Sequence, residues 1–297
     1  MEETLSLQPQ QNELQSAIDG ASLMNSSDRG NSGAQASSGS SFLTSDLESA
    51  LQQLSNQVSA QNPSAEGSEQ PSNNGSENGS GNLVLAPNAG IAGDVSPNTL
   101  TGTDGADLIS GGAGPDTIKA LGGNDLVFAL EGNDIVNLGT GDDTITAGAG
   151  NDTVNGDVGN DLVVGGVGDD DIKGGTGEDT MIGLDGADRF HFRTPQQGID
   201  FLVDFDPVDT IQVSAQGFGG GLTQGAIKPE QFSNNGEVTA ETRFIHDVLG
   251  GMLSFDADGS GGGEPIQFAR LFPGVQLTNE DIVAGTKPNP NLKDSDA

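Results

Sequence analysis

The sequence predicts an all-β chain organised around a parallel roll of stacked coils, and three observations carry that prediction. From Gly102 to His191 the chain divides into ten consecutive nine-residue units, the first GTDGADLIS and the last GLDGADRFH. Three columns hold through all ten: glycine fourth, aspartate sixth, a large apolar residue eighth. Glycine recurring this often excludes helix. One inward apolar residue per unit, with neighbours facing the other way, suits a short strand.

Ahead of the units, residues 1–82 are rich in Ser, Asn, Gln and Gly and are expected to be disordered. One stretch differs. Ser45-Asp46-Leu47-Glu48 reads as a capping box, and Leu47, Leu51, Leu54 and Val58 share one helical stripe. Residues 45–59 are therefore read as an amphipathic helix, either transient or a short docking or coiled-coil segment. Residues 83–101 turn apolar in short steps and are expected to cap the first open edge of the array.

Within residues 102–191 the fourth-position glycines are Gly105, Gly114, Gly123, Gly132, Gly141, Gly150, Gly159, Gly168, Gly177 and Gly186. A turn ending each strand asks them for positive φ. Two nines then close one coil, with a strand on each side, and like units stack every eighteen residues at about 4.8 Å. Ten units give five coils, a roll about 24 Å tall. Its narrow interior is the eighth-position column: Ile109, Ile118, Val127, Val136, Ile145, Val154, Val163, Ile172, Met181 and Phe190.

The same stacking lines up the aspartates in two ladders. One is Asp107, Asp125, Asp143, Asp161, Asp179; the other is Asp116, Asp134, Asp152, Asp170, Asp188. Unit charges about 5 Å apart repel by about 1 kcal/mol even in water, and by several at a lower dielectric. Glycine-rich turns add a large ordering entropy. Without counterions the array should not close, and a cation between successive turns would also partner their carbonyls. Carboxylate and carbonyl are hard oxygen donors that suit Ca²⁺. Mg²⁺ wants tighter octahedral geometry, and Zn²⁺ wants His or Cys, which do not recur here.

The units match the nonapeptide G-G-x-G-x-D-x-U-x, so the stretch resembles the RTX, or haemolysin-type calcium-binding, family. That resemblance implies a right-handed parallel β-roll. It implies ions held between turns n and n+2 by the two sixth-position aspartates together with carbonyls of the first four turn residues. Carried onto this chain, pairs such as 107/125 and 116/134 make four sites per ladder, about eight Ca²⁺ in all. The first two positions depart from glycine at Ala120-Leu121, Ala129-Leu130 and Leu138. Carbonyl ligands survive such side-chain changes.

Outward strand positions differ between the two sides. One side presents Leu108, Leu126, Phe128, Leu162, Val164 and Ile182; the other presents Lys119, Ile135, Asn137, Asn155, Asp171, Lys173, Arg189 and His191. The first should be covered, by the C-terminal region, by residues 45–59 or by a cell-surface or self-association partner. The second should face water.

Residues 192–285 read as a β-rich region that caps the roll and serves secretion. Ile199–Phe205, Asp209–Val213, Arg243–His246 and Met252–Phe255 alternate like strands, the last two as a hairpin through Gly250-Gly251. They resemble the cap that follows such arrays in secreted bacterial members. Asp256–Gly261 imitates an EF-hand start, but Gln267 stands where a bidentate Glu belongs, so an acidic turn is the plainer reading. His191 and His246 read as ordinary strand residues, since no catalytic motif accompanies them. Residues 286–297 form a polar tail.

The formal net charge of −34 disfavours nucleic acid and anionic membranes as partners and favours cations. No cysteine is present, which excludes disulfides and thiolate metal sites. No window is long and apolar enough to span a membrane, and no ordinary cleaved N-terminal signal is expected. The sequence therefore predicts a secreted, non-enzymatic calcium-binding protein, with export by a type I apparatus implied by the resemblance. The alternative is a calcium-stabilised surface-layer, matrix or adhesion component. A toxin or hydrolase is disfavoured, because the residues ahead of the roll are too polar to form a catalytic domain.

Overall fold

The computed structural model describes residues 83–84, 90–234 and 238–285. The helix expected at 45–59, the rest of residues 1–82, and the tail 286–297 lie outside the described residues.

The roll opens with β1 (Leu83–Val84), β2 (Gly90–Ala92) and β3 (Thr99–Thr101). Nine six-residue strands come next: β4 (Leu108–Ala113), β5 (Thr117–Gly122), β6 (Leu126–Glu131), β7 (Ile135–Thr140), β8 (Thr144–Ala149), β9 (Thr153–Val158), β10 (Leu162–Val167), β11 (Asp171–Thr176) and β12 (Thr180–Asp185). Then come β13 (Arg189–Phe192), β14 (Asp200–Leu202) and β15 (Thr210–Ser214). Each six-residue strand thus runs through positions seven to nine and on into the first three of the next unit, longer than the three residues the sequence suggests. Odd-numbered strands β1–β15 form one sheet and even-numbered strands β2–β14 the other, all pairing in parallel. The register is the eighteen-residue one: Val136 opposes Val154, and Ile145 opposes Val163.

The eighth-position column fills the interior, each member at most 1% exposed. The lead-in joins it. Ile91 opposes Ile109 and Leu100 opposes Ile118, so residues 90–101 are further coils of the roll. Counting them and the strands after His191, the solenoid has about seven coils rather than five.

Beyond β15 a one-turn helix α1 (Ala215–Phe218) is capped by the Ser214 hydroxyl, which accepts the Gly217 N–H at 3.1 Å. The remaining strands are β16 (Gly225–Ala226), β17 (Phe232–Asn234), β18 (Phe244–Asp247), β19 (Met252–Phe255), β20 (Ile266–Arg270) and β21 (Ile282–Gly285). They prolong both sheets, one as β15-β21-β16, the other as β14-β20-β19-β18-β17. Pairing changes here from parallel to antiparallel at β16/β21, β18/β19 and β19/β20. The expected hairpin β18/β19 is present, with Gly251 at φ 76°. Phenylalanine replaces the aliphatic column, and Phe218 packs at 5.0 Å from Phe255 and 5.1 Å from Phe268.

Leu126, Phe128, Leu162, Val164 and Ile182 are buried, as an apolar outer stripe requires. The opposite outer face meets its expectation only in part: Lys119 and Arg189 are exposed, but the middle of the face is not. Thr153, Asn155, Asp157 and Lys173 are buried rather than open to water. Asn137, Asn155 and Lys173 stack in register on adjacent strands, and the Asn137 amide donates to the Asp157 carboxylate at 3.2 Å.

Candidate metal centre

Stacking brings the ten sixth-position aspartates together as two ladders, as the sequence predicts. Their side chains are withdrawn from solvent, each at most 2% exposed. Each rung is joined to the next by a bond the sequence does not announce: an Asp N–H donates to Oδ1 of the aspartate eighteen residues on. Asp107 donates to Asp125 at 2.8 Å, Asp134 to Asp152 at 2.7 Å, and Asp161 to Asp179 at 2.8 Å. The strand after each turn repeats the link, as in Thr180 N–H to Asp161 carbonyl at 2.8 Å.

One carboxylate oxygen takes that bond. The other has none. Oδ2 of Asp116, Asp125, Asp134, Asp143, Asp152, Asp161, Asp170, Asp179 and Asp188, and Oδ1 of Asp107, are buried without a hydrogen-bond partner. Native proteins rarely leave such atoms orphaned, and ten in register point to an unaccounted ligand. Burial dominates their acidity. It pushes Asp125, Asp161 and Asp170 up to about 8 and Asp152 to about 7, with ladder neighbours adding repulsion and the backbone hydrogen bond opposing both.

The fourth-position glycines bound the ladders. Nine of the ten, Gly114 to Gly186, have positive φ; Gly105 is not among them. At Gly150 (φ 138°) a Cβ would strike the Gly132 carbonyl, so both conformation and space demand glycine. From Gly123 to Gly168 their N–H groups donate to the third-position carbonyl of the next turn, as Gly159 does to Thr176 at 2.9 Å. Those carbonyls are therefore partnered within the chain, contrary to the expectation that turn carbonyls lack partners; each keeps a second lone pair. From Gly112 onward position two also has positive φ, and there Leu121 (85°), Leu130 (83°), Asp157 (77°) and Leu184 (73°) replace glycine.

A further ladder runs along position five. The side chains of Asn124, Asn133, Asp142, Asn151, Asn160 and Asp169 accept the N–H of the residue eighteen on, at 2.8–3.2 Å. The sequence signal was available: Asn or Asp fills position five in six units.

The donor set is hard oxygen. Among the described residues no three or more His, Cys, Asp or Glu side chains gather as a metal group. Two carboxylates per turn pair must then be completed by backbone carbonyls, which fits an ion that accepts mixed, flexible oxygen ligands. Asp256–Gly261 joins β19 to β20 with no flanking helix, and its carboxylates cap turn N–H groups, Asp256 that of Asp258 at 3.1 Å. His191 bridges to Asp171 at 3.1 Å, and buried His246 meets Asn234 at 3.2 Å.

The family model for the RTX calcium-binding nonapeptide repeat (4 copies) matches residues 101–136, 128–163 and 164–193. Residues 101–193 belong to the RTX calcium-binding family. No curated protein matches the chain. Among solved structures, the extracellular lipase LipA from Serratia marcescens is similar at 16% identity and TM-score 0.28. The match covers 64% of this chain and 40% of the lipase, so the chain spans well under half of that enzyme. The AlgE6R3 subunit of the Azotobacter vinelandii mannuronan C5-epimerase is similar at 23% identity and TM-score 0.21, over 72% of this chain and 90% of that one. The RTX repeats of this chain are thus calcium-binding repeats, carried on a parallel roll. Among the described residues no helix is long and apolar enough to cross a membrane.

Proposed function

We propose that this chain is a secreted, non-enzymatic protein whose roll folds on meeting extracellular calcium. Asp107/125, 125/143, 143/161 and 161/179 on one edge, and 116/134, 134/152, 152/170 and 170/188 on the other, would hold about eight ions between turns. Gly105, Gly114, Gly123, Gly132, Gly141, Gly150, Gly159, Gly168, Gly177 and Gly186 would bring backbone carbonyls within reach. The observation that carries the reading is the orphaned, buried carboxylate oxygen in every repeat. Calcium bound there supplies the positive charge that allows these carboxylates to stay ionised away from water.

The aspartates hold the rungs in register through their backbone links, while the fourth-position glycines let successive turns approach. Extracellular calcium modules bind at about 10⁻⁴ to 10⁻³ M, so the cytosol would leave the array unfolded and fit to thread an exporter. Export by a type I apparatus through residues 192–297 is part of this proposal. Secretion that persists without residues 193–297 would refute that part.

A calcium titration of the chelator-stripped chain, read by far-UV circular dichroism with a Mg²⁺ control, tests the reading. A cooperative gain of β signal with Ca²⁺ alone is expected. A chain equally folded in chelator at neutral pH would refute it. A second reading is a calcium-hardened surface or matrix component, although the outer stripe from Leu126 to Ile182 is buried within this chain and offers it no open contact. Sedimentation with and without Ca²⁺ separates the two, since only that component would associate.

A further inference from the structure

Phe192, Arg193 and Thr194 break the nine-residue register after the tenth unit, and the break hides another repeat. Read from Pro195, PQQGIDFLV again has glycine fourth, aspartate sixth and an apolar residue eighth. The structure treats each place as a repeat does. Leu202 is fully buried opposite Met181. Gly198 has φ 145°, and a Cβ there would strike the Gly177 carbonyl. The Gly177 N–H donates to the Gln197 carbonyl at 2.8 Å, the bond Gly159 makes to Thr176. The Phe201 N–H donates to the Asp179 carbonyl at 2.7 Å, and the Asp179 N–H to Asp200 Oδ1 at 3.1 Å.

The other edge ends differently. Asp209 accepts the Asp188 N–H at 3.0 Å, but Pro207 stands in the glycine place. Its second oxygen accepts the Asp206 N–H at 2.9 Å, and Asp204 accepts the N–H groups of Gly183 and Leu184 at 2.9 and 2.7 Å. The chain's own donors close that turn. On the Asp200 edge, Asp179 Oδ2 stays buried and unpartnered, set against Gly174 at the mouth of its own turn.

We propose that Asp179 and Asp200 hold one further calcium ion between turn 174–179 and turn 195–200, the second of which lies outside the residues the family model matches. This rests on the calcium reading of the ladders. The site would fasten β14, and β20 beside it, to the roll, making the docking of the C-terminal region cation-dependent. The Asp188/Asp209 edge takes no such ion.

The test is calcium stoichiometry of the full chain by equilibrium dialysis, for the parent, Asp200→Asn and Asp209→Asn. Asparagine keeps an Oδ1 acceptor for the backbone link at either position. Asp200→Asn should bind one ion fewer, and Asp209→Asn the parent number. An unchanged count for Asp200→Asn would overturn the proposal. So would an equal loss from both variants, which would report a loosened C-terminal region and no ligand at Asp200. Should Asp200→Asn fail to fold, anomalous diffraction from parent crystals grown in calcium decides, by a peak or no peak between Asp179 and Asp200. A parent chain that binds no calcium at all would instead refute the underlying calcium reading, and the site with it.

Discussion

The RTX array and the region after β15 continue the same two sheets, yet different forces hold them. Each array coil contributes two eighth-position residues to a narrow column and two buried carboxylates to the ladders. The later region carries an aromatic cluster, with Phe218 and Phe244 6.2 Å apart and each within 5.0–6.3 Å of Phe255 and Phe268. Hydrophobic burial stabilises that cluster at any calcium concentration. In the array the same interior spacing forces charge into low dielectric. Its stability is therefore conditional on what neutralises the ladders. One continuous β architecture can thus hold a switchable part and a fixed part.

The largest effect expected from this contrast is on pH. Without calcium, the folded array raises Asp125, Asp161 and Asp170 to about 8, against about 3.9 for an unfolded aspartate. A raised folded value means that the folded state binds protons more tightly. Its stabilisation is complete below about pH 4 and is lost as pH rises through 6 to 8. In chelator the β signal should survive at pH 4.5 and collapse by pH 8, while excess calcium restores it at pH 8. A chelated array that instead gained structure with rising pH would break the contrast.

Phe218→Ala attacks the other half. Removing a ring that meets three others should cost about 4 kcal/mol. The loss, measured by denaturant unfolding in saturating calcium, should fall on the transition of the C-terminal region and leave the calcium midpoint of the array in place. A shift of both together would show that the two parts fold as one unit.

How far the sequence reveals this molecule depends on whether a feature repeats. Glycine, aspartate and apolar columns recur ten times, so coil size, inward face and both ladders are legible from Gly102 to His191. The position-five ladder is periodic through six consecutive units, and is less legible because Ala106, Pro115, Glu178 and Ala187 fill the place in the outer ones. Ile91 and Leu100 escaped because their coils keep only the apolar column, the one feature packing demands. Asp200 escaped for a simpler reason: three inserted residues break a nine-residue register without breaking the stack. The partnering of third-position carbonyls is a backbone matter that no side chain records. In the C-terminal region strands were legible by alternation, but their order β14-β20-β19 depends on long-range pairing.

Asp152→Asn should sharpen the contrast by reversing sign with calcium. Asp152 lies between Asp134 and Asp170 on its ladder. In chelator, losing its charge should move the pH at which the array collapses upward, by the equivalent of about 1 kcal/mol. In calcium the same change removes a carboxylate shared by two ion pairs and should destabilise it. A pH titration in chelator and a thermal melt in calcium read the two signs. Destabilisation in both conditions would mean that packing, and not charge, decides the ladder.

The smallest effect concerns position two. Leu121 holds φ 85° with its side chain 40% exposed, so it pays for little burial with a conformation that costs a non-glycine residue about 1 kcal/mol. Half of the units place glycine there. Leu121→Gly should therefore raise the calcium-bound melting temperature slightly, by about 1 kcal/mol of stability less the added freedom of glycine in the unfolded chain. A clear fall in melting temperature would show that Leu121 contributes packing its exposure conceals. The turn would then owe its shape to side-chain contacts as much as to the glycine rule that governs position four.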